Sequence, residues 1–126
     1  MYILIAILIF GFLIFIHELG HFLTAKALDV QVNEFSICMG PALLKKQRGE
    51  TLYSLRCIPF GGFCAMEGED GDSDNPRAFT SKSWWRRLII LAAGSFMNFL
   101  TGLLVLVIVY SCAAPSSTAR IDSFFE

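Results

Sequence analysis

The chain has 126 residues, room for one small domain. Apolar residues make up 55% of it and charged residues 17%, against about 45–50% and about 25% in ordinary soluble domains. A net charge of −1 gives no electrostatic footprint for nucleic acid, so no nucleic-acid partner is expected.

The first apolar block runs from Met1 to Leu28, and its first sixteen residues carry no charged side chain. A membrane span needs roughly 20 mostly apolar residues. A secretory signal would need a basic start and a small-residue cleavage site. The block has neither, and His17-Glu18-Leu19-Gly20-His21 follows instead. A transmembrane helix over residues 1–28, with the lipid bilayer around it, is the expectation.

HExxH on a helix stacks two imidazoles at i and i+4 on one face, about 6 Å apart along the axis. That spacing lets the neutral nitrogens of His17 and His21 bind one Zn2+ ion, and it places Glu18 to take a proton from a water there. A lone buried histidine is ordinarily a packing residue with a satisfied hydrogen bond. Three ionisable groups in little more than one turn at membrane depth are different, because each costs roughly a few kcal/mol on insertion scales. A catalytic Zn2+ hydrolase site is therefore expected.

Residues 29–66 read as a β-region. Val30 to Ile37 and Leu52 to Ile58 have strand character, and Gly40-Pro41 and Arg48-Gly49-Glu50 are turn signals. A short antiparallel sheet of two to four strands is predicted, ended by the flexible turn Pro59-Phe60-Gly61-Gly62-Phe63. Residues 67–87 form an acidic, structureless loop from Glu67 to Asn75. An interfacial collar follows, Ser81-Lys82-Ser83-Trp84-Trp85-Arg86-Arg87, with a weak signal for a capped amphipathic lead-in. Residues 88–114 form the second span, without a charge from Leu88 to Ala119, and 115–126 a short extracytoplasmic tail.

Cys38, Cys57, Cys64 and Cys112 make no CxxC pair and have no zinc-finger spacing. They read as small buried or half-buried residues, and the three in the predicted cytoplasmic part as reduced thiols. Nine of the ten Lys and Arg lie between Lys26 and Arg87. The positive-inside rule places that middle in the cytoplasm and both termini outside, as in a multi-pass inner-membrane protein.

HExxH supplies two ligands, and a catalytic zinc site normally has three plus a water. The second span holds no Asp, Glu or His. Asp29 is eight residues past His21, about 12 Å further along the helix. Acids of the middle, and Asp122 or Glu126 in the tail, have no convincing geometry. The third ligand is expected from outside this chain. In the second span Gly94 and Asn98 share a helix face. Gly94 permits close helix approach. Asn98 is either a donor to a developing oxyanion or a packing residue bonded to a neighbouring backbone.

These residues resemble the site-2 protease family of intramembrane zinc metalloproteases, most closely the bacterial type that includes the regulator of sigma-E protease. His17 to His21 is similar to the family's zinc motif. Phe35-Ser36-Ile37-Cys38-Met39-Gly40-Pro41 resembles its Phe-Ser-x-Gly-x-Gly-Pro segment, with Cys38 for Gly. Tyr53 to Phe63 resembles the stretch ending Pro-x-Gly-Gly-Tyr, with Phe63 for Tyr. Ala93-Gly94-Ser95-Phe96-Met97-Asn98-Phe99 resembles Ala-Gly-Pro-x-x-Asn-Phe, with Ser95 for Pro. The likeness covers nearly all of Met1 to Val109.

The resemblance implies that His17 and His21 bind zinc, that Glu18 is the general base and that Asn98 lies near the active site. It implies that the β-region is membrane-associated and helps hold substrate extended, as strand addition at a sheet edge can do. Family members continue into PDZ domains and later helices, one bearing an Asp-Gly motif whose Asp is the third ligand. The chain is therefore expected to be the N-terminal half of an intramembrane zinc endopeptidase acting on membrane-protein substrates, with a C-terminal half supplying that ligand. The fold class is membrane α-helical, two transmembrane helices flanking a small cytoplasmic, membrane-associated β-region. The alternative is a non-catalytic module or pseudoprotease. A metal-handling membrane protein fits less well, because the second span lacks ionisable residues to line an ion path.

Overall fold

The computed structural model describes residues 1–113. Helix α1 spans Tyr2–Ala27, strand β1 Val32–Arg48, strand β2 Thr51–Met66 and helix α2 Trp84–Cys112. At 1.5 Å per residue the helices are about 39 and about 44 Å long, against about 30 Å for a bilayer's hydrocarbon core. Both are long and apolar enough to cross a membrane. The expected tail, residues 115–126, lies outside the described residues.

α1 ends where Asp29 turns left-handed at φ 57°. Asp tolerates this region better than most residues. The Val30 N–H then donates to the Ala25 carbonyl at 2.8 Å, closing the helix end. Lys26 stands in the last turn, where a cation suits the helix dipole.

β1 and β2 form one antiparallel hairpin that pairs Arg48 with Thr51 across Gly49 and Glu50. Gly49 has φ 62°, the left-handed start that two-residue hairpin loops use. Both strands bend, so the N-terminal part of β1, Glu34 to Ile37, is paired on two flanks. Glu34 lies opposite Leu52 and Ala65, and Phe35 opposite Tyr53 and Cys64.

The strands are longer than the sequence predicts. Gly40-Pro41 lies inside β1, and Pro59 to Phe63 lies inside β2 instead of ending the sheet. Positive φ values at Cys38 (69°), Gly40 (85°) and Gly61 (85°), together with repeated register shifts, let the ladder bend through these points. Cys38, which stands where the resemblance has Gly, takes a left-handed conformation that Gly adopts at no steric cost.

The core joins the C-terminal half of α1, the sheet and the start of α2. Ala25, Val30, Val32, Phe35, Cys64, Met66 and Ile90 are buried together, with Phe15, Leu19 and Phe22 packed against them. Phe22 and Phe35 have ring centroids 4.8 Å apart. At the far half of the hairpin Met39, Leu43, Leu44, Ile58 and Phe60 are exposed.

Residues 67–83 contain no helix or strand, and hydrogen bonds pin the segment to the rest of the fold. The Phe79 N–H donates to the Glu67 carbonyl at 2.7 Å and the Gln31 N–H to the Arg77 carbonyl at 3.0 Å, and Ala78 is fully buried. Glu50 ties the hairpin turn to this segment and to α1, with Lys26 Nζ and Arg77 Nη1 each 2.5 Å from its oxygens. No amphipathic lead-in precedes α2 among the described residues. Ser83 is its N-cap and both tryptophans lie in its first turn.

Candidate metal centre

The two spans meet on small residues. A carbon added at Gly20 would lie 2.6 Å from the Ala93 carbonyl oxygen, so α1 and α2 approach backbone to backbone. This contact brings the HExxH face of α1 against α2.

His17 and His21 stack with ring centroids 4.8 Å apart and planes at 79°. His21 Nδ1 lies 2.8 Å from the Ile90 carbonyl oxygen. A carbonyl only accepts, so Nδ1 carries the proton and Nε2 keeps its lone pair. Metal-binding histidines are commonly fixed by such an outer hydrogen bond.

The Nε2 atoms of His17 and His21 converge over Gly94. A carbon added there would lie 2.6 Å from His21 Nε2 and 2.7 Å from His17 Nε2. The space a side chain would fill is taken by the edges of the two imidazoles, whose Nε2 atoms both lie within 2.7 Å of one point. Two imidazole nitrogens facing one point are a donor pair that fits a Zn2+ ion. Sequence reading takes Gly94 as a helix-packing residue. The structure adds that its missing side chain lets both rings close on the same point.

Glu18 projects toward the sheet, its Cγ 3.8 Å from the position of a carbon added at Gly62. Asn98 is near His17, with Nδ2 3.5 Å from Nδ1, and its Oδ1 is buried with no hydrogen-bond partner among the described residues. His17, Glu18 and Asn98 share a cleft of about 400 Å³ with Phe10, Leu13 and Ile14. All four residues singled out in the sequence therefore gather in one place. The Ile90 carbonyl and Gly62 complete the surroundings. Neither had a sequence signal specific to this role: every residue carries a carbonyl, and Gly62 reads as a turn residue.

Among the described residues no group of three His, Cys, Asp or Glu side chains could hold a metal ion. Four acids of the middle section are engaged in pairs of their own. Glu50, hydrogen-bonded by Arg77 and Lys26, has its carboxyl held down to about 2. Burial would raise Glu34, but hydrogen bonds from Ser54 and Arg56 outweigh it and keep that carboxyl below the usual range. Glu67 is lowered by hydrogen bonds from Asn33 and Ser73. Asp29 pairs with Arg77 and Lys82. Asp122 and Glu126 lie outside the described residues.

Residues 5–122 match peptidase family M50. A relative from Clostridium acetobutylicum, named as a candidate zinc metalloprotease, is 53% identical over 85% of this chain and 32% of its own length. One from Clostridium perfringens with the same kind of name is 46% identical over 85% of this chain and 32% of its own. A third, from Chlamydia trachomatis, is 44% identical over 99% of this chain and 21% of its own. The chain thus spans a third or less of the relatives it matches. With this match over nearly its whole length and the HExxH face in place, the chain belongs to peptidase family M50, the site-2 proteases.

Proposed function

We propose that this chain is the metal-binding part of an intramembrane zinc endopeptidase that cleaves transmembrane segments of membrane proteins. The observation that carries this reading is the convergence of His17 and His21 Nε2 over Gly94. Bound there, Zn2+ would supply Lewis acidity toward a scissile carbonyl and a nearby water. His17 and His21 hold the ion, and Glu18 takes the proton from the attacking water as general base. A helical substrate must first unwind, because its amides are otherwise tied up in intrahelical bonds. The hairpin, with exposed apolar side chains on its far half, suits a membrane-associated platform that pairs with the unwound segment by strand addition. The distribution of Lys and Arg supports a cytoplasmic middle section and extracytoplasmic termini.

A further segment or a partner chain supplies the third ligand in this reading. The absence of a three-ligand group among the described residues also favours a second reading, a non-catalytic module of the same fold. Two measurements separate them. Tight one-to-one zinc binding, with a third ligand from outside residues 1–113, supports the protease, and lack of zinc supports the module. In the complete enzyme, Glu18→Gln should cut cleavage of a single-span reporter by about 10²-fold or more with zinc content unchanged. A normal rate in that variant overturns the base assignment.

A further inference from the structure

We infer that Asn98 is a positioning residue that acts through His17: its amide oxygen accepts a hydrogen bond from His17 Nδ1–H and so leaves the Nε2 lone pair free for the metal. This rests on the reading of His17 and His21 as metal ligands, and it concerns a role that the sequence left open between oxyanion donor and packing.

Ile90, Gly94 and Asn98 are four residues apart on α2, and His17 and His21 four apart on α1. The helices run past each other so that His21 meets Ile90 and His17 meets Asn98, with Gly94 between the two rings. At one end of this ladder a backbone oxygen already fixes His21, its Nδ1 2.8 Å from the Ile90 carbonyl. At the other end the amide nitrogen of Asn98 stands 3.5 Å from His17 Nδ1 while its oxygen is buried and has no hydrogen-bond partner among the described residues.

A nitrogen donor facing Nδ1 would demand a lone pair there and push the ring proton to Nε2, the atom that converges on Gly94. That arrangement blocks metal binding and leaves the amide oxygen orphaned. Turning the carboxamide by a half-rotation about its Cβ–Cγ bond exchanges oxygen and nitrogen at almost no change in shape. The oxygen then accepts from His17 Nδ1–H, and both imidazoles present Nε2 lone pairs to the same space. Each ring is thus held by one oxygen of α2, one turn to either side of Gly94. The exchanged amide nitrogen takes the buried position that the oxygen held, which has no hydrogen-bond partner among the described residues.

The test reads ring tautomers in the metal-free protein. Nitrogen-15 NMR of the full chain, labelled at histidine, in micelles at a pH where both imidazoles are neutral, should show Nδ1–H for His17 as well as His21. Asn98→Ala should move His17 alone toward the Nε2–H form, with His21 unchanged as proof that the helices still pack. Asn98→Asp, which keeps an acceptor oxygen, should hold His17 as Nδ1–H. A second readout is chelator competition for Zn2+. Asn98→Ala should weaken affinity by about 10–100-fold, the usual cost of losing an outer-shell partner, and Asn98→Asp should recover most of it. An Nε2–H signal for His17 in the unaltered chain, or a tautomer unmoved by Asn98→Ala, overturns the inference. Failure of the unaltered chain to bind zinc would instead count against the metal reading, and the tautomer signal would still decide the role of Asn98.

Discussion

A methyl group on Gly94 would lie 2.7 Å from His17 Nε2, closer than carbon and nitrogen ordinarily approach. The same methyl would lie 2.6 Å from His21 Nε2. Gly94→Ala is therefore expected to push both rings off their common target. Zinc content, measured by elemental analysis of purified protein, should fall at least tenfold at a zinc level that saturates the unaltered chain. Circular dichroism should show the helices kept, since Ala favours a helix over Gly by about 1 kcal/mol. Full zinc occupancy in Gly94→Ala would show that metal binding does not need the close approach of the rings to this residue.

Gly20 answers a different question, how tightly the spans can approach. Its neighbour is backbone, the Ala93 carbonyl oxygen at 2.6 Å from an added carbon, and backbone does not swing aside. Gly20→Ala should part the helices and lower stability by about 1–3 kcal/mol as an overpacking change, partly offset by better helix propensity. Thermal unfolding in detergent measures it. A melting temperature equal to that of the unaltered chain would mean that the two spans are not in backbone contact.

Acid should loosen the clasp at Glu50. Its carboxyl is held at about 2 by Arg77 and Lys26, below the ordinary value of 4.5. A carboxyl depressed in the folded state stabilises the fold above its unfolded value, and that contribution disappears as pH falls from 4.5 toward 2. Glu34 and Glu67 are lowered too and act in the same direction. The group is partly exposed, so the pair contributes modestly. Melting temperature plotted against pH should drop through that window. The drop should shrink, though not vanish, in Glu50→Gln. An identical acid limb in the variant would show that the clasp does not contribute.

Thiol labelling should sort the cysteines by burial. Cys64 is buried against the core, and burial, reinforced by Glu18 and Glu69, pushes its thiol up to about 12. Almost no thiolate then exists at pH 8, and thiolate is the reacting form. Cys57 is exposed. Brief treatment with a maleimide, followed by peptide mass spectrometry, should modify Cys57 and leave Cys64 largely intact. Equal labelling of the two would contradict the packing of β2 against α1.

The chemistry of α1 was legible because HExxH is a spacing rule, and helix geometry turns spacing into a shared face without further help. The hairpin turn was legible for a similar reason, since Gly49 supplies a backbone angle that few residues tolerate. The far half of the sheet was not. Gly40-Pro41 and Gly61-Gly62 carry turn chemistry, yet β1 and β2 bond to each other across these points, and a partner strand distant in sequence overrides local preference. The Ile90 carbonyl was invisible for a simpler reason, because a backbone acceptor leaves no mark on residue type. Asn98 was noticed in the sequence, but its buried unpaired oxygen belongs to three dimensions only.

His17 and His21 ride on one rod and the oxygens that steady them on another. Sliding the rods by a single turn, about 5.4 Å, would offer each ring the wrong neighbour and bring a bulky side chain where Gly94 now leaves room. The centre is therefore a vernier: it comes into alignment at one mutual offset of the two spans, and whatever sets that offset governs whether the scissors can close.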